Sequence, residues 1–215
     1  MLATALACCL LLAPAEPGLL FHAPFDGSAV AWSLSNQGQP ADGPAPSFAP
    51  GKYGQALLAG AEVPQLRYPV AANILPASGT IAFWVQPQNW TPDDPHFHVF
   101  FETGQMGGKV GWLLFYKYYQ NGWLLLRYAD ELERVGAATA VPKWQPGEWH
   151  HVAGTWSSAG LRIYLDGELA ATAPEPRVGE TLPETFALGD SGWHLPHAGA
   201  RTLLDDFRIY ATPLS

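Results

Sequence analysis

The sequence predicts an all-β protein, folded as a two-sheet antiparallel sandwich. Three observations predict it. Short apolar or alternating runs recur along the chain with turn residues between them, and no window keeps helical spacing. In addition, 22 Gly and 20 Pro punctuate a chain that holds 9 Trp, 8 Tyr and 10 Phe. Many short strands with regular turns are the pattern of a sandwich or barrel. The 215 residues suit one such domain and can bury a core without staples.

In chain order, residues 1–15 read as a secretory leader: an apolar run from Leu2 to Ala13 meets the small-residue pattern Ala13-Pro14-Ala15. The run is too short to span a bilayer. Cys8 and Cys9 both fall inside it, so the expected mature domain, 16–215, has no disulfide. Lipidation of Cys8 or Cys9 is the alternative reading. A leader places the domain outside the cell, secreted or at its surface.

Leu19–Gly27 reads as a first strand entering a turn, and Ser35–Gly51, rich in Pro, Gly, Ala and Asp, as a surface loop. Strands follow over Gln55–Ala59, Gly79–Val85, His96–Thr103, Val110–Tyr119, Trp123–Tyr128, Val135–Val141 and Trp149–Trp156. Further strands cover Leu161–Leu165, Glu168–Ala173, Phe186–Leu188 and Thr202–Tyr210. Asn121-Gly122 and Asp166-Gly167 each sit between two such runs, which predicts type I′ hairpin turns. Before the second turn, Leu161, Ile163 and Leu165 share one face, and Arg162 and Tyr164 the other.

The formal charge is −8, with 11 basic residues and no basic run. That argues against nucleic-acid partners and anionic membrane surfaces. Only 14% of residues are charged and 48% are hydrophobic, which excludes a disordered chain.

Four segments carry a resemblance: GTIAFWVQP (79–87), GEWHHVAGTW (147–156), LRIYLDGELAAT (161–172) and LLDDFRIYATPLS (203–215). In order and spacing they resemble the laminin-G-like jelly roll of the concanavalin-A-like lectin/glucanase superfamily. The resemblance covers roughly residues 19–215 and is most specific in the second half. It implies a jelly-roll sandwich whose first and last strands are neighbours. It does not imply one function, since one fold hosts many.

In the last strand Leu203, Asp205, Phe207 and Ile209 share one face, and Leu204, Asp206, Arg208 and Tyr210 the other. Asp205 is then carried inward beside Phe207 and needs a partner. Some relatives hold calcium near this strand pair, and Asp26, Asp205 and Asp206 are the candidate oxygen ligands for a structural calcium. The other reading is that Asp205 and Asp206 accept backbone, Arg or indole N–H bonds.

Other chemistry-bearing groups carry little. His150 and His151 are neighbours in a strand, so their rings take opposite faces and cannot act together. His96 and His98, with His194 and His197, would need the fold to join them into a zinc site. Gly189-Asp190-Ser191-Gly192 resembles a serine-protease nucleophile segment, but Trp193 replaces its third glycine and no partner motif exists. Glu131 and Glu133 fall at a hairpin turn and lack the Glu-x-Asp-x-x-Glu spacing of concanavalin-A-like glycosidases.

Aromatic faces stack on sugar C–H surfaces while carboxylates, amides and imidazoles bind hydroxyls. The loops holding those types are the candidate binding surface: Trp90, Asp93, Asp94 and His96 in NWTPDDPH, Tyr118 before the Asn-Gly turn, and Trp193 with His194. The expectation is a non-catalytic extracellular module that recognises a carbohydrate or glycoconjugate. The competing class is a protein-interaction or adhesion module whose partner is a surface protein. A carbohydrate-active enzyme is the third.

Overall fold

Strands with apolar residues at every second position have one face to bury, and two sheets stacked face to face bury both. The computed structural model describes residues 16–104, 112–129, 134–175, 182–189 and 197–215, and within them the chain forms two antiparallel sheets. Sheet A runs β13 (Glu168–Ala173), β12 (Gly160–Leu165), β11 (His150–Ser157), β6 (Gly79–Pro87), β15 (Arg201–Tyr210), β1 (Leu19–Ala23) and β2 (Trp32–Ser33). β4 (Gln55–Gly60) also pairs with β15, and β3 (Ser47–Pro50) with β4. Sheet B runs β10 (Arg134–Thr139), β9 (Leu124–Ala129), β8 (Trp112–Lys117), β7 (His98–Thr103), β14 (Thr185–Leu188) and β5 (Leu66–Pro69). The expected surface loop before Gly51 therefore contributes one strand, β3. The expected leader lies outside the described residues, and no helix among them is long and apolar enough to cross a membrane.

The core lies between the sheets. Ile81, Phe83 and Val85 of β6, with Val152 and Trp156 of β11, meet Phe101, Leu113, Phe115 and Phe186 of sheet B. Phe207 is at its centre, stacked 5.8 Å from Phe83 and 5.9 Å from Phe101. Fully buried side chains of this size each stabilise by about 1.5–3 kcal/mol. Leu161, Ile163 and Leu165 face the core as their alternation requires, while Arg162 and Tyr164 stay half-exposed.

Two local expectations split. Asp166 and Gly167 both take positive φ, 50° and 88°, the requirement of a type I′ turn. At Asn121-Gly122 only Gly122 does, at 67°. There the Tyr118 N–H bonds the Trp123 carbonyl at 2.8 Å and the Gly122 N–H bonds Tyr118 at 3.0 Å, so four residues close the loop. A contact accounts for the glycine: a Cβ on Gly122 would stand 1.8 Å from the Pro92 carbonyl oxygen.

The expected parity of the last strand fails at a β-bulge. Asp205 pairs with Trp84 and Arg208 with Ala82, so Asp206 and Phe207 together oppose Phe83, and Asp206 takes φ 50°. The extra residue shifts the register of faces. Leu204 joins the core before the bulge, Phe207 and Ile209 after it. Asp205 therefore does not lie on the Phe207 face; it is fully buried beneath the turn from Gly51 to Gly54, on the outer side of sheet A.

Candidate functional site

The connection from β6 to β7 carries four of the candidate residues, and β8 leads to a fifth. Unbroken alternation in WLLFYK places Leu113 and Phe115 inward, and carries Lys117 inward too, at the end of the strand. Its fully buried ammonium is held by three acceptors: the Asp94 carbonyl at 2.9 Å, Asp94 Oδ1 at 3.0 Å and the His96 carbonyl at 2.9 Å. It also lies 5.6 Å from the centre of the Trp90 ring. Burial pushes the Lys117 pKa down, and Asp94 opposes that.

Asp94 closes the loop as well. Its carboxylate accepts the Thr91 and His96 N–H groups, each at 2.9 Å, and the His96 ring lies 3.1 Å away. Burial works to raise the Asp94 pKa, but these N–H donors and the Lys117 ammonium outweigh it and hold the carboxyl below its ordinary value. Asp93 is exposed.

Trp90 corrects the expectation. Only 1% of it is exposed; its indole N–H donates to Thr202 Oγ1 at 2.8 Å, and its ring packs 6.3 Å from Trp144 and 6.2 Å from His98. The ring therefore closes one end of the sandwich and presents no face for a ligand to stack on.

Beside this loop a run of rings reaches the surface. Phe97 packs 5.1 Å from Tyr116, Tyr116 lies 6.3 Å from Tyr118, and Tyr118 lies 4.8 Å from Tyr119. Tyr119 stacks on His197 at 3.8 Å with 13° between the planes. Tyr118, Tyr119, His96 and His197 are half-buried. The Phe97 N–H bonds the His197 carbonyl at 2.9 Å, which ties the late loop to this rim. The structure thus joins Asp94 to His96, and Tyr118 to Tyr119 and His197. Trp193 and His194 lie outside the described residues, as do Asp190, Ser191, Glu131 and Glu133.

The three carboxylates expected at a calcium site are arranged differently. Asp26 Oδ1 accepts the Gln55 N–H at 3.0 Å, and Asp205 accepts N–H bonds from Tyr53 at 2.9 Å and Asp206 at 2.7 Å. Asp206 instead bridges His22 at 2.7 Å and Arg208 at 3.0 Å. Among the described residues no group of three or more His, Cys, Asp or Glu is placed to hold a metal. Asp26 and Asp205 both meet the Gly51–Gly54 turn, while Asp206 faces His22 and Arg208, so the three carboxylates do not converge as one group.

The histidine pairs separate too. His98 is buried against Phe100 at 4.9 Å, and its pKa is pushed down to about 3 by burial, with Lys117 and His96 adding to the effect. His150 stacks on Trp144 at 4.2 Å, whereas His151 lies on the outer side of sheet A, 5.3 Å from Trp84. Their opposite orientation is the one that strand alternation requires.

Comparison with known proteins follows the fold. A laminin-G model, described as Concanavalin A-like lectin/glucanases superfamily, matches residues 63–215. The rat protein named Sushi, von Willebrand factor type A, EGF and pentraxin domain-containing protein 1 is 33% identical over 111 residues. That match covers 51% of this chain and 3% of that protein. The mouse protein of the same name is 39% identical over 70 residues, which is 32% of this chain and 2% of that protein. The chain thus spans a small fraction of the length of these curated relatives.

Among solved structures, domain 4 of AbnA, a GH43 extracellular arabinanase from Geobacillus stearothermophilus, in complex with arabinotriose, superposes with TM-score 0.69 at 21% identity. It matches 93% of this chain and 95% of that one. The binding domain of botulinum neurotoxin DC in complex with SialylT superposes with TM-score 0.68 at 13% identity, over 92% of this chain and 48% of that one. The same toxin domain in complex with rat synaptotagmin II gives 0.69 at 14% identity, over 91% and 49%. At these identities the likeness is one of fold.

Proposed function

Because the chain belongs to the laminin-G family of the concanavalin A-like lectin/glucanase superfamily, we propose that it is a non-catalytic binding module for carbohydrate or glycoconjugate. The binding surface is the rim formed by Asp93, Asp94 and His96 with Tyr118, Tyr119 and His197. One observation carries this reading: the half-buried rings of Tyr118, Tyr119 and His197 pack on one another, and the His197 carbonyl accepts the Phe97 N–H, one residue from His96. Apolar ring faces beside fixed polar groups are what a sugar with one C–H face and several hydroxyls needs. The arabinotriose complex of a similar domain favours the same ligand class. A secreted or cell-surface location follows from the leader read in residues 1–15.

The test is a glycan array probed with the chain, with and without calcium, beside Tyr119→Ala. Glycan signals that weaken in the variant support the rim. If no glycan binds under either condition, the carbohydrate reading yields to protein binding.

That second reading has its own observation. Val30, Trp32 and Leu34, at alternate positions along the edge of sheet A, are 49%, 38% and 65% exposed. An apolar stripe on a sheet edge suits a protein partner.

A further inference from the structure

The outer face of sheet A holds a second feature, away from the rim. Cross-strand register places Ala82 beside Ala153 and Ala153 beside Tyr164; in the next row Thr80 lies beside Thr155. Directly paired residues point to the same side, and the core-facing partners of this stretch are Ile81, Phe83, Val152 and Ile163. The outer side therefore has a floor of two alanines and two threonines across β6 and β11. Larger groups surround it: His151 beside Trp84, Tyr164, and the final residues of the chain.

Those final residues are fixed over the sheet. Thr80 Oγ1 donates to the Thr212 carbonyl at 2.8 Å and accepts the Leu214 N–H at 2.8 Å; Ser78 Oγ donates to the Ala211 carbonyl at 3.0 Å. Leu214 thus forms one wall of a cleft of about 150 Å³, with His151, Tyr164 and Gly167 at its other sides.

We propose that this cleft binds one ring of a neutral sugar, at a site separate from the rim. Size limits the occupant. Pockets for drug-sized ligands enclose about 300–1,000 Å³, so a cleft of about 150 Å³ takes a single ring, such as the terminal residue of a glycan. Ser215 lines the cleft as well, and among the lining side chains only His151 can carry a formal charge, when protonated. Burial pushes the His151 pKa down, against the pull of Asp166 and Asp206, so the ring is neutral at physiological pH.

Chemistry points the same way. The alanine and threonine methyls offer an apolar floor to a C–H face. The rings of His151 and Tyr164 stand at its sides, each with a polar group that a sugar hydroxyl can pair with.

The experiment is an amide NMR titration of the full chain with methyl glycosides of glucose, galactose, mannose and arabinose. N-acetyltyrosinamide serves as the probe for an aromatic side chain. We expect the Ala82, Ala153 and Gly167 amides to move with one or more glycosides, at millimolar affinity. Ala153→Leu, which fills the cleft from its floor, abolishes the movement, and Tyr164→Ala weakens it at least several-fold. Tyr119→Ala leaves it intact, so failure at the rim and failure here are distinguishable. The proposal is overturned if the glycosides move only rim amides, or if Ala153→Leu folds and still responds. It is equally overturned if N-acetyltyrosinamide moves these amides and the glycosides do not.

Discussion

The Lys117 ammonium stands 3.0 Å from Asp94 Oδ1 with no exposure of the lysine to solvent. A charge this deep is tolerated only when its partners are fixed, and removing one partner of a buried pair costs about 3–5 kcal/mol. Asp94→Ala leaves the ammonium with two carbonyl acceptors and removes the acceptor of the Thr91 and His96 N–H groups. We expect a loss of about 3 kcal/mol in urea unfolding, with the rim disordered. Lys117→Met, which fills the same space without charge, costs less. Equal losses for the two variants would show that packing, and not the ion pair, holds the loop.

Gly122 couples the β8–β9 loop to the same segment. Its φ of 67° and its approach to Pro92 leave no room for a side chain. Gly122→Ala is expected to destabilise by at least about 1–3 kcal/mol, the range for strained backbone, and to lower glycan binding by displacing Tyr118 and Tyr119. Thermal melts and array binding read the two effects separately.

His98 makes stability depend on pH. Its folded pKa is near 3 against an ordinary 6.5, because it is buried and because Lys117 and His96 face it; Asp94 opposes them. Between those values the unfolded chain binds the extra proton, so stability rises with pH across that window. The His98 contribution is fully present above about pH 6.5 and is lost as the pH falls toward about 3. His98→Phe keeps a ring against Phe100 and removes the titration. The wild-type melting temperature should fall relative to that of the variant as the pH is lowered from neutral; parallel curves would sink the assignment.

Asp205 holds the Gly51–Gly54 turn through N–H bonds from Tyr53 and Asp206. Asp205→Ala strands buried donors, each worth about 1–3 kcal/mol, and we expect a loss of about 3 kcal/mol. A chelator should leave the melting temperature of the wild type unchanged. A clear fall on chelation would mean that a cation shares these carboxylates.

What could be read from the sequence was what local spacing decides. Leu161, Ile163 and Leu165 face inward and Asp166-Gly167 makes the expected turn, because each depends on adjacent residues alone. Asp205 lies on the face opposite to the one that alternation predicts, since a single bulged residue at Asp206 inverts every position before it and leaves no mark in composition. Trp90 gives no local sign of its burial, because a Trp in a polar loop looks the same in sequence whether it closes a core or meets solvent. Lys117 did leave a signal: alternation with Leu113 and Phe115 carries it inward. Only the non-local fold of 90–97 supplies the acceptors that make this tolerable.

The pairing of β1 with β15 has a mechanical consequence. Leu19 lies across from Tyr210, and beside them Glu16 binds Arg208 at 2.5 Å and Tyr210 at 2.7 Å. A pull applied at residues 16 and 211 would therefore load this strand pair crosswise from one end, with the Glu16 contacts carrying the force first. The ladder would then open bond by bond, as a zipper does, and resist far less than one sheared along its length. Tethered at those two points, the domain would act as an extensible link that yields early under tension.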